Sequence, residues 1–141
     1  MKLPLVTVVT PNYNYEKFIA ETINSVLKQD YPNIEYIVVD DGSTDKSVKV
    51  IKEILSRNPN SFKLIQQHNS GQSSALNNGF RNSNGEILCW LNSDDLFEPS
   101  AISIAVDFLN RNQSVDMVFG ENIYIDKKGN MLRVNRGYYW G

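Results

Sequence analysis

Short β-branched apolar runs alternate with longer segments of helical period along nearly the whole chain, and few architectures accept that order. Leu3 to Thr10, with Val6, Thr7, Val8, Val9 and Thr10 in succession, has the pattern of a strand buried on both faces. Pro11-Asn12-Tyr13-Asn14 breaks it. From Glu16 to Gln29 the apolar residues Ile19, Ile23, Val26 and Leu27 recur at i, i+4, i+7 and i+8, one face of an amphipathic helix. Ile34 to Val39 predicts a second buried strand, followed by the turn Asp40-Asp41-Gly42-Ser43-Thr44-Asp45, whose Ser or Thr can cap a helix with Val48, Ile51 and Leu55 inward. Phe62 to Gln66 predicts a third, shorter strand, and Ala75, Leu76 and Phe80 a short helix stopped by Asn82-Ser83-Asn84-Gly85.

The apolar run Ile87 to Leu91 predicts another buried strand, and Pro99 suits the first turn of a helix carrying Ile102, Ala105, Val106 and Leu109. Val115 to Phe119 predicts a further buried strand. Ile123 to Ile125 and Met131 to Val134, joined through Asp126-Lys127-Lys128-Gly129-Asn130, predict a hairpin. Strands and helices in this alternation imply an α/β fold, a mostly parallel sheet flanked by helices with a C-terminal β-hairpin. The 141 residues suit a single domain, 1–141.

Bulk properties narrow the function. A net charge of -2 carries no electrostatic footprint for nucleic acid or an anionic membrane, so an anionic ligand needs a metal or local donors. The single Cys89 rules out an internal disulfide and a Cys-rich zinc site, and its place in an apolar run suggests an inert buried thiol. No charged leader or cleavage site follows Met1, and no apolar run approaches the ~20 residues that cross a bilayer. The expected location is the cytoplasm, including the inner face of the membrane.

Chemistry concentrates in two acidic turns. Asp40-Asp41 and Asp94-Asp95 each stand at the carboxyl end of a predicted parallel strand, where open α/β sheets bind ligands. With the strands adjacent, the two turns line one crevice and Thr10-Pro11-Asn12 supplies a third wall. Adjacent carboxylates repel unless a hard cation shares their charge. One can accept from a base N–H or a ribose hydroxyl while its neighbour ligates a divalent ion bridging a diphosphate. Singly, an Asp-Asp pair is as readily a solvated loop that caps a helix. His68, in a polar turn, reads as a surface residue, and Asp45 as a charge complementing the dipole of the next helix.

Five motifs together resemble the inverting family 2 glycosyltransferases, which have the GT-A, Rossmann-like fold. They are Thr10-Pro11-Asn12-Tyr13-Asn14, Asp40-Asp41-Gly42-Ser43-Thr44-Asp45, the run Gly71 to Phe80, Gly85-Glu86-Ile87, and Trp90-Leu91-Asn92-Ser93-Asp94-Asp95. Nearly the whole chain is covered. The resemblance implies a nucleotide-sugar donor, UDP-linked, with Thr10 and Pro11 against the base, Asp41 holding the base edge, Asn77 at the donor and Asp94 facing the ribose. Asp95, with Asp94, would bind Mn2+ or Mg2+ at the diphosphate, and sugar would pass with inversion to a saccharide, lipid-linked or protein acceptor in polysaccharide biosynthesis.

The chain departs from the family pattern at Asn92, where many relatives have Asp, and at Leu76, where many have Arg. Family domains also continue through an acceptor side bearing the general base. The chain is therefore expected to be the donor-binding portion, incomplete at its C-terminus, with the base beyond Gly141 and Glu121 the one weak candidate within it. A noncatalytic nucleotide-sugar-binding or interaction module would keep the same residues. The tail Tyr138-Tyr139-Trp140 reads as a sugar-stacking surface or as the edge of further structure. Asp41-Gly42-Ser43 also resembles the loop of haloacid dehalogenase phosphatases, but their nucleophilic Asp falls where Val39 stands. A receiver domain needs an acidic pair after the first strand, where this chain has Pro11-Asn12.

Overall fold

Four strands form one parallel sheet: β1 (Val6–Asn12), β2 (Ile34–Asp40), β3 (Lys63–Gln66) and β4 (Ile87–Trp90), in the order β3-β2-β1-β4. The helices between and after them are α1 (Ile19–Leu27), α2 (Ser47–Arg57), α3 (Gln72–Arg81) and α4 (Ala101–Arg111). An antiparallel hairpin of β5 (Asn122–Ile125) and β6 (Met131–Asn135) follows. This computed structural model describes residues 3–135, so Tyr138, Tyr139 and Trp140 lie outside the described residues. The chain divides after Ser103 into two compact units, the first holding the parallel sheet and the second the hairpin.

The two central strands, β1 and β2, are buried because they are apolar on both faces over most of their length. All seven residues of β1 are buried, and so are the last five of β2. On one face Val9, Ile37 and Val39 meet Ala75 of α3, with Ile65, Leu76 and Phe80 packed around them. The alternate residues Val8 and Val38, also fully buried, point to the opposite face. Helix α3 sits directly on β1 and β2 because position 79 is glycine. A Cβ there would stand 2.4 Å from Val9 Cγ1 and 3.3 Å from Val39 Cγ2.

Three expectations need correction. Strand β1 runs through Pro11 and Asn12 instead of breaking there. Proline is tolerated because the ladder to β4 ends at Val9–Trp90, so its missing N–H falls where no strand needs it. Strand β4, an outer strand, is not buried: Ile87 and Cys89 on one side are half-buried, and Leu88 and Trp90 on the other are exposed. Residues 115–119 form no strand, and Met117 and Phe119 are exposed, since β5 and β6 pair only with each other. A β-branched run becomes a strand only where a neighbour offers a ladder.

At the amino end of the sheet, Glu35 ties three segments together. Its Oε2 accepts from the Thr7 hydroxyl at 2.6 Å and the Asn84 backbone N–H at 2.8 Å, and its Oε1 accepts from Asn84 Nδ2 at 2.8 Å. Thr7 Oγ1 in turn accepts from Gly85 N–H. Burial by itself would raise the Glu35 carboxyl. The Thr7 and Asn84 donors, with the charge of Lys63, outweigh it and hold Glu35 below the usual carboxylate range.

A carboxyl whose folded pKa is depressed stabilises the fold above its unfolded pKa, and that contribution disappears as pH falls through the folded value. Glu35→Gln is therefore expected to flatten the acid side of a stability-versus-pH curve below about pH 4.5; an unaltered acid limb in urea titrations would show that Glu35 does not carry it. Gly79→Ala pits about 1 kcal/mol of helix propensity against about 1–3 kcal/mol of overpacking, so the urea midpoint should fall. A raised midpoint would mean that α3 can move off the sheet.

Candidate functional site

The order β3-β2-β1-β4 places a topological switch at β1, whose carboxyl end lies between the turns that follow β2 and β4. The two acidic pairs meet there, but they are not alike. Asp40 and Asp41 are buried, whereas Asp94 and Asp95 are exposed.

Burial of the first pair is supported by donors from three loops. Asp40 Oδ1 accepts from Asn12 Nδ2 at 2.8 Å and the Ser43 hydroxyl at 2.6 Å, and Oδ2 from the Ser43 backbone N–H at 3.0 Å. Asp41 Oδ1 accepts from Gln67 Nε2 at 2.7 Å and Ser70 N–H at 2.9 Å, and Oδ2 from Gly71 N–H at 2.8 Å. Asp41 thus holds the amino end of α3, where a negative charge also suits the helix dipole. Gly42 makes the turn between them possible. It has φ +74°, and a Cβ there would stand 2.8 Å from the Asn69 backbone nitrogen.

The loop after β1 is laced to the loop after β2. Asn14, in the left-handed region at φ 60°, accepts on Oδ1 from the backbone N–H of Thr44 and of Asp45, while its own N–H donates to Ser43 Oγ. Asp45 accepts from Glu16 N–H and Ser47 N–H, so it serves the first turn of α2 as expected. Burial alone would raise its carboxyl, but the Ser47 and Glu16 donors hold it below the usual range. Asp45, and not a Ser or Thr, thus provides the side-chain contact at that helix start.

The acidic turn after β4 is anchored by its backbone and by its serine. Ser93 Oγ donates to the Pro11 carbonyl at 2.7 Å, on the side of β1 that β4 leaves unpaired. Asn92 Oδ1 accepts from Gln72 Nε2 at 2.8 Å, and Asn92 Nδ2 donates to Asp95 Oδ2 at 3.0 Å. An aspartate at 92 could not make that last bond, so the departure from the family pattern has a structural use here.

A cleft of about 470 Å³ opens between these loops, with Pro11, Asn12, Tyr13, Asp41, Gly71 and Asp94 in its walls. Of the expected site residues, Pro11, Asp41 and Asp94 come together here. Thr10 does not line it: its side chain is wholly buried, with Oγ1 3.0 Å from Tyr36 Oη, two residues below Asn12 on the same face of β1. Asn77 is exposed on α3 and absent from the walls, and Asp95 is turned to Asn92. Glu121 is exposed just before β5 in the second unit, and His68 is exposed in its loop. Burial pushes the thiol of the half-buried Cys89 up to about 12.

Sequence reasoning placed Asn12 in the third wall without a role of its own, and gave none to Gln67 or Gln72. Asn12 is buried at the cleft with Nδ2 committed to Asp40 and Ser43, which fixes its amide orientation, and among the described residues its Oδ1 has no partner. Gln67 also accepts from Asn78 Nδ2 at 2.7 Å, which keeps its own Nε2 aimed at Asp41. The polar run from Gln67 to Gln72 was the available signal. Among the described residues no group of three or more His, Cys, Asp or Glu is arranged to hold a metal. Asp94 and Asp95 nevertheless offer hard oxygen donors of the kind that Mg2+ and Mn2+ take, one or two carboxylates at a time, with the remaining positions filled by phosphates and water. The donor set therefore fits a cation that arrives with a diphosphate.

A parallel sheet with a polar, acid-lined cleft at its switch point is the arrangement in which open α/β domains bind ligands. The chain belongs to glycosyl transferase family 2, whose model matches residues 7–140. It is 34% identical over 139 residues to a chondroitin synthase of Escherichia coli, covering 99% of this chain and 20% of that protein. To an uncharacterized glycosyltransferase of Haemophilus influenzae it is 33% identical, covering 95% of this chain and 53% of the relative. Among solved structures it resembles S. aureus TarS 1-349 in complex with UDP, at a TM-score of 0.70 and 33% identity, over 77% of this chain and 33% of that one. A mannosyltransferase from Pyrobaculum calidifontis, PcManGT, in complex with GDP-Man and Mn2+, matches at a TM-score of 0.71 and 31% identity over the same shares. These likenesses make the fold GT-A. The chain spans between a fifth and about half of the two curated relatives named. Among the described residues no helix is long and apolar enough to cross a membrane.

Asp41→Asn would set an NH2 group against one or more of the three donors that now converge on the carboxylate. The expected cost is about 1–3 kcal/mol in urea unfolding, with faster amide exchange at Ser70 and Gly71. Unchanged exchange there would show that the start of α3 is held by something else.

Proposed function

We propose that the chain is the donor-binding domain of a glycosyltransferase that takes a UDP-linked sugar together with Mn2+ or Mg2+. The observation that carries the reading is the unequal state of the two acidic pairs around one cleft. Asp41 is buried and accepts three donors, which leaves about one of its roughly four lone-pair positions open. A single open acceptor suits a base edge that presents one N–H, as uracil does at N3. Guanine offers adjacent N–H and NH2 groups that want two acceptors, and adenine and cytosine put a ring acceptor there instead. Asn12 Oδ1, without a partner among the described residues, is fully buried and so presents no second acceptor to the base edge.

Across the cleft Asp94, exposed, faces the ribose and diphosphate side, and Asp94 with Asp95 would hold the cation. When bound, that cation supplies charge neutralisation for the departing nucleoside diphosphate. This chain's own residues bind and orient the donor: Pro11 and Tyr13 flank the base, Asp41 fixes its edge, and the amino end of α3 faces the cleft. Transfer then follows as a direct displacement with inversion. A base removes the acceptor hydroxyl proton, the oxygen bonds to the anomeric carbon, and the bond to the diphosphate breaks. Glu121 is the weak candidate for that base within this chain; otherwise the base comes from a further segment. Support for the sugar-nucleotide donor comes from the similarity to proteins solved with UDP and with GDP-Man and Mn2+.

Calorimetric titration separates this reading from that of an interaction module. UDP with Mn2+ should bind about tenfold or more tightly than GDP or CDP, the equivalent of one well-made hydrogen bond. Asp94→Ala and Asp95→Ala should each reduce the Mn2+-dependent part of the affinity. Absence of heat with UDP and Mn2+, or wild-type binding by both variants, would count decisively against the proposal.

A further inference from the structure

Thr22 lies in the middle of α1 and is wholly buried. Inside a helix a threonine hydroxyl commonly donates to a carbonyl three or four residues earlier in its own chain. Here it reaches across to another segment. Thr22 Oγ1 stands 2.9 Å from the Ser93 carbonyl oxygen and 3.0 Å from that of Asp95, the two carbonyls that bracket Asp94. One proton shared between them pins both peptide groups at once.

The same stripe of α1 continues the contact. Ser25 Oγ accepts from Phe97 N–H, Gln29 Nε2 donates to the Glu98 carbonyl, and Gln29 Oε1 accepts from Ile102 N–H. Thr22 and Ser25 stand at i and i+3 on α1 and Gln29 lies two residues past its end, and together they form a polar rail along which 93–102 is laid. Ser93, bonded to Pro11, holds the same turn from the β1 side. Asp94 is exposed, so its direction depends on the backbone to either side of it.

We propose that Thr22 is a positioning residue for the acidic turn: its hydroxyl, shared between the Ser93 and Asp95 carbonyls, sets the backbone that aims Asp94 at the cation of the donor. The proposal rests on the nucleotide and metal reading above. Thr22 touches neither ligand and acts through the turn. Thr22→Val keeps the shape of the side chain and removes its proton, leaving two carbonyls short of a donor, whereas Thr22→Ser keeps the proton.

The test compares UDP affinity with Mn2+ and with chelator for wild type and both variants. In Thr22→Val the affinity gained from Mn2+ should drop roughly 10- to 100-fold, the range seen when groups that orient metal-bound carboxylates are removed. Thr22→Ser should regain most of it, and metal-free binding should be alike in all three. An undiminished gain in Thr22→Val overturns the proposal, and so does an equal loss in both arms, which marks general loosening. If Thr22→Val does not fold, Thr22→Cys, a weaker donor, must fall between wild type and full loss.

Failure of wild type to bind UDP under either condition sinks the nucleotide reading instead. The Thr22 role is then decided by amide exchange at Asp95, whose N–H bonds to the Asn92 carbonyl at 3.1 Å. Protection there should decrease in Thr22→Val and return in Thr22→Ser, and equal protection in all three proteins overturns it.

Discussion

Two carboxylates are buried side by side at the carboxyl end of β2, and the upper half of the sheet is organised around satisfying them. An ionised carboxylate removed from water without partners is too costly to keep, so its donors must be assembled from whatever lies near. For Asp40 they come from Asn12 and Ser43, and for Asp41 from Gln67, Ser70 and Gly71. Each bond crosses from one loop to another or closes the turn itself. The loops after β1, β2 and β3 are thereby one hydrogen-bonded body bordering the cleft.

The second acidic pair shows the opposite solution. Asp94 and Asp95 keep their exposure, and the turn carrying them is fixed mainly through main-chain groups and Ser93, with Asp95 Oδ2 accepting from Asn92 Nδ2. A carboxylate with all but about one of its acceptor positions filled can take one further donor in one direction. An exposed one on a fixed backbone remains free to meet a cation. The difference between the pairs is a difference of burial: one pair is committed to donors of the protein and the other stands open to solvent.

Much of this was legible in the chain. The strands of the parallel sheet could be located because fully buried strands leave unbroken β-branched runs, and the helices because their inward residues repeat at helical spacing. The acidic pairs were found as well, since strand ends in α/β sheets are where ligands bind. Burial around them was not legible. Thr10 was expected at the base yet pairs with Tyr36 beneath the cleft, and Asn77 was expected at the donor yet lies exposed on α3. Residues 115–119 carry the composition of a buried strand and form none, because composition says nothing of whether a partner strand is present.

Local sequence therefore determined the order of elements, the parallel sheet and the two places where carboxylates cluster. These follow from periodicity and turn chemistry, which act over a few residues. Tertiary structure alone decided that Asp41 would accept three donors from the protein and Asp94 be left exposed, that Asn92 would bridge Gln72 to Asp95, and that Thr22, 71 residues before Ser93, would hold the turn around Asp94. Hydrogen bonds between segments so far apart depend on the packing of α1 and α3 around the sheet, and no short-range pattern records that packing.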